Sequence, residues 1–247
     1  MFNISNKRLI ARLDLKNTKL IKGLSYEGYK VIGEADLYAE KYYNNFADEI
    51  IILDTVASLQ NRKNIENFIR HITKKIFIPI TVCGGLRNEE DISNMLKSGA
   101  DKIGINSAVI KDVKKLKKIS ETFGNQCIVL SVEAVERKDE NWEAFYDNGR
   151  EPSGRDVVEW CIECEKNGIG EILVTNVNRD GTKKGLDRKL IKKIVESVNI
   201  PVIGSGGTSG NDDIVDTFEK TNVSAIAVGA SLHSEEVNFE KIKKKLI

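Results

Sequence analysis

Short apolar runs alternate along the chain with longer stretches in which apolar positions recur every three or four residues. The short runs predict strands at 8–14 (RLIARLD), 49–54 (EIIILD), 78–83 (IPITVC), 101–106 (DKIGIN), 127–133 (CIVLSVE), 170–176 (GEILVTN), 200–205 (IPVIGS) and 224–229 (SAIAVG). The longer stretches predict helices at 35–46, 64–76, 88–99, 113–124, 154–168, 187–198, 211–220 and 235–246. Asn88 followed by Asp91 marks a helix start, and Gly99 marks its stop. Eight strand-then-helix units call for parallel strands joined by right-handed crossovers. An open, doubly wound sheet is the competing architecture, but it commonly carries a glycine-rich dinucleotide turn that this sequence lacks.

An internal repeat decides for closure. ADEIIILDTVAS resembles GIGEILVTNVNRDG, FIPITVCGG resembles NIPVIGSGG, and KIGINSA resembles AIAVGAS. Glu171 follows Glu49 by 122 residues, Pro201 follows Pro79 by 122, and Ile226 follows Ile103 by 123. A repeat of half the chain, four units in each half, predicts a (β/α)8 TIM barrel of the α/β class made of two half-barrels, about 1–123 and 124–247, in a single domain. The length of 247 residues suits one such barrel.

Composition adds little beyond this. Charged residues reach 30%, yet the net charge is only +1, so no basic field points to nucleic acid or a membrane surface. No long apolar stretch or leader-like segment is present, so the expectation is a protein neither exported nor membrane-spanning. Cys161 and Cys164 form a C-x-x-C pair inside a helical stretch without a second ligand pair, so no metal is expected. Cys83 and Cys127 fall in strand-like runs and are expected to be buried, and a reducing cytoplasm is the expected compartment.

In this architecture chemistry sits at the C-terminal ends of the strands. Strands three and seven end in glycines, Gly84 and Gly85 in one and Gly206 and Gly207 in the other. Strands four and eight end in Asn106, Ser107 and Ala108, and in Gly229, Ala230 and Ser231. Glycines admit close approach to a phosphate, and small residues opening a helix offer free N–H groups. Two such cradles at matched positions suggest a long substrate with a phosphate at each end; tight turns alone are the plainer reading. Asp14 ends strand one and Glu133 ends strand five, half a barrel apart, placed for general acid and base work. A lysine-rich loop with Lys16, Lys19 and Lys22 follows Asp14 and suits phosphate. Asp54 ends strand two, and Asp180 with Gly181 follows strand six in NRDGT.

Taken together, the segments LDLKN…LIKG, FIPITVCGGLR, GADKIGINSA, FGNQCIV, GREPSG.D.VEW, GEILVTNVNRDGTKKGLD and PVIGSGG resemble the cyclase subunit of imidazole glycerol phosphate synthase, over nearly the whole chain. The isomerase that precedes it in the pathway shares the half-barrel plan, but NRDGTKKGLD and FGNQCIV favour the cyclase. The resemblance implies a bisphosphorylated ribulosyl aminoimidazole carboxamide ribotide as substrate and ammonia from a glutaminase partner as co-substrate, with no cofactor. It implies Asp14 and Glu133 as the acid–base pair and Lys22 as a loop lysine near substrate. It further implies Arg8, Glu49, Lys102 and Glu171 as a ring at the entrance of an ammonia tunnel, and Asp101 as a partner contact. Opposite charges at the bottom of a barrel can also be a stabilising plug.

The sequence departs from that pattern near the substrate. Glu133 stands where the family has Asp, Arg12 replaces a small or apolar residue, Cys83 replaces a glycine, KNTK replaces a Lys-Asp-Gly turn, and Asn178 stands where an acid is usual. An arginine lining the barrel there would add an anion contact or hold Asp14 ionised. With the ring kept and the substrate end altered, a second reading stays open: an ammonia-channelling paralogue supporting acetamidino modification of a surface-glycan sugar.

Overall fold

The computed structural model describes residues 7–55 and 59–246, so the Ala57–Ser58 end of the first repeated motif lies outside the described residues. Eight parallel strands close on themselves in the order β1 (Arg8–Lys16), β4 (Glu49–Asp54), β5 (Ile80–Cys83), β6 (Lys102–Ile105), β7 (Ile128–Glu136), β10 (Glu171–Asn176), β11 (Val202–Ser205) and β12 (Ala225–Val228), with β12 pairing back to β1. This is the expected (β/α)8 barrel.

Alternation along each strand creates two cores. Leu9, Ala11 and Leu13 of β1 pack outward against the helices, whereas Ile10 meets Ile51, Val129, Leu173 and Ile203 inside the barrel. The outer layer comprises α1 (Ala35–Asn44), α2 (Leu59–Ile72), α3 (Glu89–Lys97), α4 (Lys114–Phe123), α5 (Val157–Lys166), α6 (Arg188–Ser197), α7 (Asn211–Thr221), the short α8 (Ala230–His233) and α9 (Phe239–Lys245). Helix α3 starts where the sequence says: Asn88 accepts from Asp91 N at 2.9 Å, Asp91 accepts from Arg87 N at 2.9 Å, and Gly99 at φ 111° follows its end. Among the described residues no helix is long and apolar enough to cross a membrane.

Two antiparallel hairpins were not anticipated. One, β2 (Lys19–Leu24) with β3 (Glu27–Glu34), follows β1; the other, β8 (Trp142–Tyr146) with β9 (Glu151–Asp156), follows β7. The supposed lysine-rich loop is therefore strand, and residues 154–156 end a strand rather than begin a helix, Asp156 capping α5 through Val158 N at 2.8 Å. Both insertions follow the first strand of their half-barrel, which places one hairpin beside each strand-end acid. Cys127 is also corrected: it is half-buried in a 3-10 turn before β7, while Cys83, Cys161 and Cys164 are buried, with burial pushing their thiols up.

The glycines after β5 and β11 have a packing reason of their own. A side chain on Gly206 would meet the Asn176 carbonyl oxygen at 2.7 Å, and one on Gly84 would overlap the carbonyl of Asp54, its counterpart in the other half. Gly84 also sits at φ 95°. Gly84→Ala is expected to lower unfolding free energy by about 2 kcal/mol or more, read from urea denaturation; an unchanged midpoint would contradict the close approach.

Candidate active site

At the N-terminal end of the barrel four charged side chains converge. Arg8, first in β1, donates to Glu49, first in β4, and to Glu171, first in β10. Lys102, first in β6, lies 2.7 Å from Glu171 and 3.5 Å from Glu49. The two carboxylates are nearly buried while the two cations are half-buried, so the ring closes the floor of the barrel. Burial works against the charge on Arg8, but Glu171 and then Glu49 outweigh it and hold the guanidinium charged. Asp101, on the same rim, is exposed and accepts from Ile80 N at 2.8 Å, anchoring the start of β5.

At the C-terminal end the first acid is locked. Asp14 Oδ1 accepts from Arg12 Nε at 2.8 Å and Oδ2 from Lys22 Nζ at 2.6 Å. Lys22 also reaches Asp180 at 2.8 Å, and Arg12 Nη1 lies 3.4 Å from Asp180, so two acids and two bases alternate in a buried square. Burial alone would push the Asp14 carboxyl up, but Arg12 and then Lys22 reverse this and hold it down at about 2. Tyr26, from the β2–β3 turn, lies over the Arg12 guanidinium at 5.3 Å, and Ser25 N donates to the Asp180 carbonyl at 2.8 Å. The hairpin thus covers this acid.

The second acid has the opposite environment. Glu133, on β7, is buried and accepts from Gly149 N at 2.7 Å in the β8–β9 turn. Burial pushes its carboxyl up to about 7, with the Gly149 N–H and the Arg12 charge opposing only in part. It faces a cavity of about 410 Å³ lined by Gly84, Gly85, Asn106, Ser107, Lys111 and Lys115 among others. β1 and β7 are four strands apart around the eight, so the acids stand on opposite walls. They do not share this cavity, because Lys22 and Arg12 wall Asp14 off.

The two cradles are unequal. Gly206, Gly207, Gly229, Ala230 and Ser231, with Asp180 and Gly181, line a second hollow of only about 10 Å³. There Gly229 does precede a helix, the single turn of α8, and the Ser231 hydroxyl is buried without a partner. At the first cradle no helix opens after β6; residues 107–111 form turns, and α4 begins at Lys114. Asn106 and Ser107 are taken up by the second hairpin, Asn106 Nδ2 donating to the Phe145 carbonyl at 2.8 Å and Ser107 Oγ accepting from Asp147 N at 3.0 Å. Lys111 and Lys115 supply the positive charge there instead.

Sequence reasoning missed Tyr26, Asp147 and Gly149, because they belong to the missed hairpins. The Asp147-Asn148-Gly149 run was a readable turn signal. It also missed His233, stacked on Tyr42 with 2.6 Å between Nδ1 and the phenolic oxygen, whose imidazole burial pushes down to about 3 and so keeps neutral.

A family profile described as "Histidine biosynthesis protein" matches residues 8–238. Relatives that carry the name imidazole glycerol phosphate synthase subunit HisF include the following three. The one from Legionella pneumophila is 48% identical over 83% of this chain and 96% of its own length. That from Lactococcus lactis subsp. cremoris MG1363 is 41% identical over 98% and 93%, and that from Bacillus cereus G9842 is 39% identical over 97% and 95%.

Proposed function

The chain belongs to the histidine biosynthesis protein family, and on that premise we propose that it is the cyclase subunit of an imidazole glycerol phosphate synthase. It uses ammonia to convert a bisphosphorylated ribulosyl aminoimidazole carboxamide ribotide into imidazole glycerol phosphate and aminoimidazole carboxamide ribotide. The observation that carries the residue roles is the contrast between the acids: Asp14 held down at about 2, Glu133 pushed up to about 7. Near neutral pH Asp14 is ionised and, once Lys22 has lifted from it, can take a proton, while Glu133 still holds one to give, a division of labour set by environment.

Ammonia adding to a ketone sheds a proton from nitrogen, and the former carbonyl oxygen needs a proton to depart as water. Asp14 is the acceptor and Glu133 the donor. The two cradles take the two phosphates, the larger using Gly84, Gly85, Asn106 and Ser107 with Lys111 and Lys115, the smaller using Gly206, Gly207, Gly229, Ala230 and Ser231 with Asp180 and Gly181 at its rim. For the substrate to reach Asp14, Lys22 and Tyr26 must lift with their hairpin, and Lys22 is then free to meet the phosphate end.

The relatives are named as subunits, and a glutaminase docked on the N-terminal face, at Asp101 and the ring of Arg8, Glu49, Lys102 and Glu171, is the partner that fits. Ammonia enters through that ring and follows the barrel axis. Four unpaired cysteines suit a reducing cytoplasm. None of the three relatives' names supports the glycan-amidination alternative.

The test is purified protein with the bisphosphorylated ribotide and excess ammonium salt, without a partner. Conversion to both products is expected. A folded protein that gives none, yet stimulates a glutaminase bound to it, would overturn the reading in favour of another acceptor.

A further inference from the structure

Every second residue of β1 points into the barrel, so Arg8, Ile10, Arg12 and Asp14 stack in that order from floor to mouth. Ile10 belongs to a dry collar with Ile51, Val129, Leu173 and Ile203, none more than 2% exposed. Arg12 is the next inward residue above that collar. Its Nε is engaged by Asp14, and its Nη1 reaches across to Ser205 Oγ at 3.2 Å on β11 and Thr175 Oγ1 at 3.4 Å on β10. Its Nη2 is buried and has no partner. Thr81, on the same face of β5 as the inward Cys83, also keeps a buried hydroxyl without a partner. A buried donor left unmade forfeits its solvation without recompense, so two inside one barrel call for a small polar visitor.

We propose that Arg12 Nη2 is a docking point for neutral ammonia at the upper end of the apolar stretch, directly beneath Asp14. The inference rests on the reading that ammonia follows the barrel axis. Ammonia has one lone pair, and a buried N–H without a partner is the complement of a lone-pair acceptor. Ammonium has no lone pair and shares the sign of the guanidinium, so the same group refuses it. Thr81 offers a hydroxyl lower down the same interior. An apolar residue at position 12 would let ammonia pass but give it nothing to bind, and ammonia that is not held diffuses back towards the ring.

The experiment uses the two-subunit complex with its glutaminase, and counts product formed per glutamine hydrolysed in wild type, Arg12→Met and Arg12→Gln. Ammonium-driven turnover of the same proteins is the control. Both variants lose the Nε bond to Asp14, so slower chemistry is common to them, but only glutamine keeps an N–H donor. In wild type the ratio is expected near one. In Arg12→Met it is expected to fall by about threefold or more, while Arg12→Gln stays close to wild type although both slow equally with ammonium salt. Arg12→Leu replaces Arg12→Met should the latter not fold. A ratio unchanged in the apolar variant, or lost as fully in Arg12→Gln, would overturn the docking role and leave Arg12 a partner of Asp14 alone. Wild type inert with ammonium salt would instead strike the cyclase reading, and this site with it.

Discussion

Glu133→Gln is expected to cut ammonium-driven turnover by roughly 10²–10⁴-fold and, at the same time, to make the folded protein more stable above pH 7. The loss follows from removing the proton donor. The gain follows from the cost of keeping this carboxyl buried, which pushes it from an ordinary value of 4.5 up to about 7. Because the folded form holds its proton to a higher pH than the unfolded form does, the unfolded form binds fewer protons between those values. Stability therefore declines as pH rises through that window and stays low above it. The amide of glutamine has no such titration and still accepts from Gly149 N. At pH 8 the variant is expected to gain up to about 3 kcal/mol in urea unfolding, and near pH 4 the difference is expected to vanish. A variant that is inactive and destabilised at every pH would show that Glu133 holds the fold rather than a proton.

Asp14→Asn is the mirror case: turnover is expected to fall at least as far, and stability with it. Asp14 balances Arg12 and Lys22 in a buried setting, its side chain 1% exposed. Removing one member of such a set leaves a buried charge uncompensated, at a cost of about 3–5 kcal/mol. The pH sign is reversed as well. The folded carboxyl is held down at about 2 against an ordinary 3.8, so its contribution is present above pH 4 and is lost as pH falls through 2. Wild type and Asp14→Asn should thus converge in stability only in acid, whereas wild type and Glu133→Gln converge near pH 4 and part above it. Thermal unfolding of Asp14→Asn at pH 7 checks this; a midpoint equal to wild type would mean that Arg12 and Lys22 find Asp180 sufficient.

These opposite environments explain which parts of the molecule were legible in the sequence. The eight barrel strands were readable because each is largely buried on both faces and apolar on the one against the helices, as in Glu49–Asp54 with every residue buried. The repeat worked because Gly84 and Gly206 answer to the same close approach by a neighbouring strand. The hairpins were hidden because the outer strand of each offers no apolar face: neither Glu27–Glu34 nor Glu151–Asp156 has a buried residue, and both mix charge with glycine. With the hairpins went Tyr26 over Arg12, Gly149 on Glu133, and the use of Asn106 and Ser107 as hairpin anchors. Lys22 was found as a lysine near substrate, but its ion pairs to Asp14 and Asp180 come from residues 8 and 158 positions away. Likewise the effect of Arg12 on Asp14 was foreseeable from their spacing of two on one strand, while its unpaired nitrogen depends on where β10 and β11 end.

The central claim is that the acid on β7 supplies a proton that the acid on β1 cannot. The most direct measurement is kcat/KM for the bisphosphorylated ribotide against pH in wild type and Glu133→Gln, with free ammonia rather than total ammonium held constant. Wild type is expected to be level up to about pH 7 and then to fall tenfold per unit, as the group at about 7 loses its proton, and the variant is expected to lack that fall. A wild-type profile that stays level through the alkaline range, or a fall that persists unchanged in Glu133→Gln, would contradict the account.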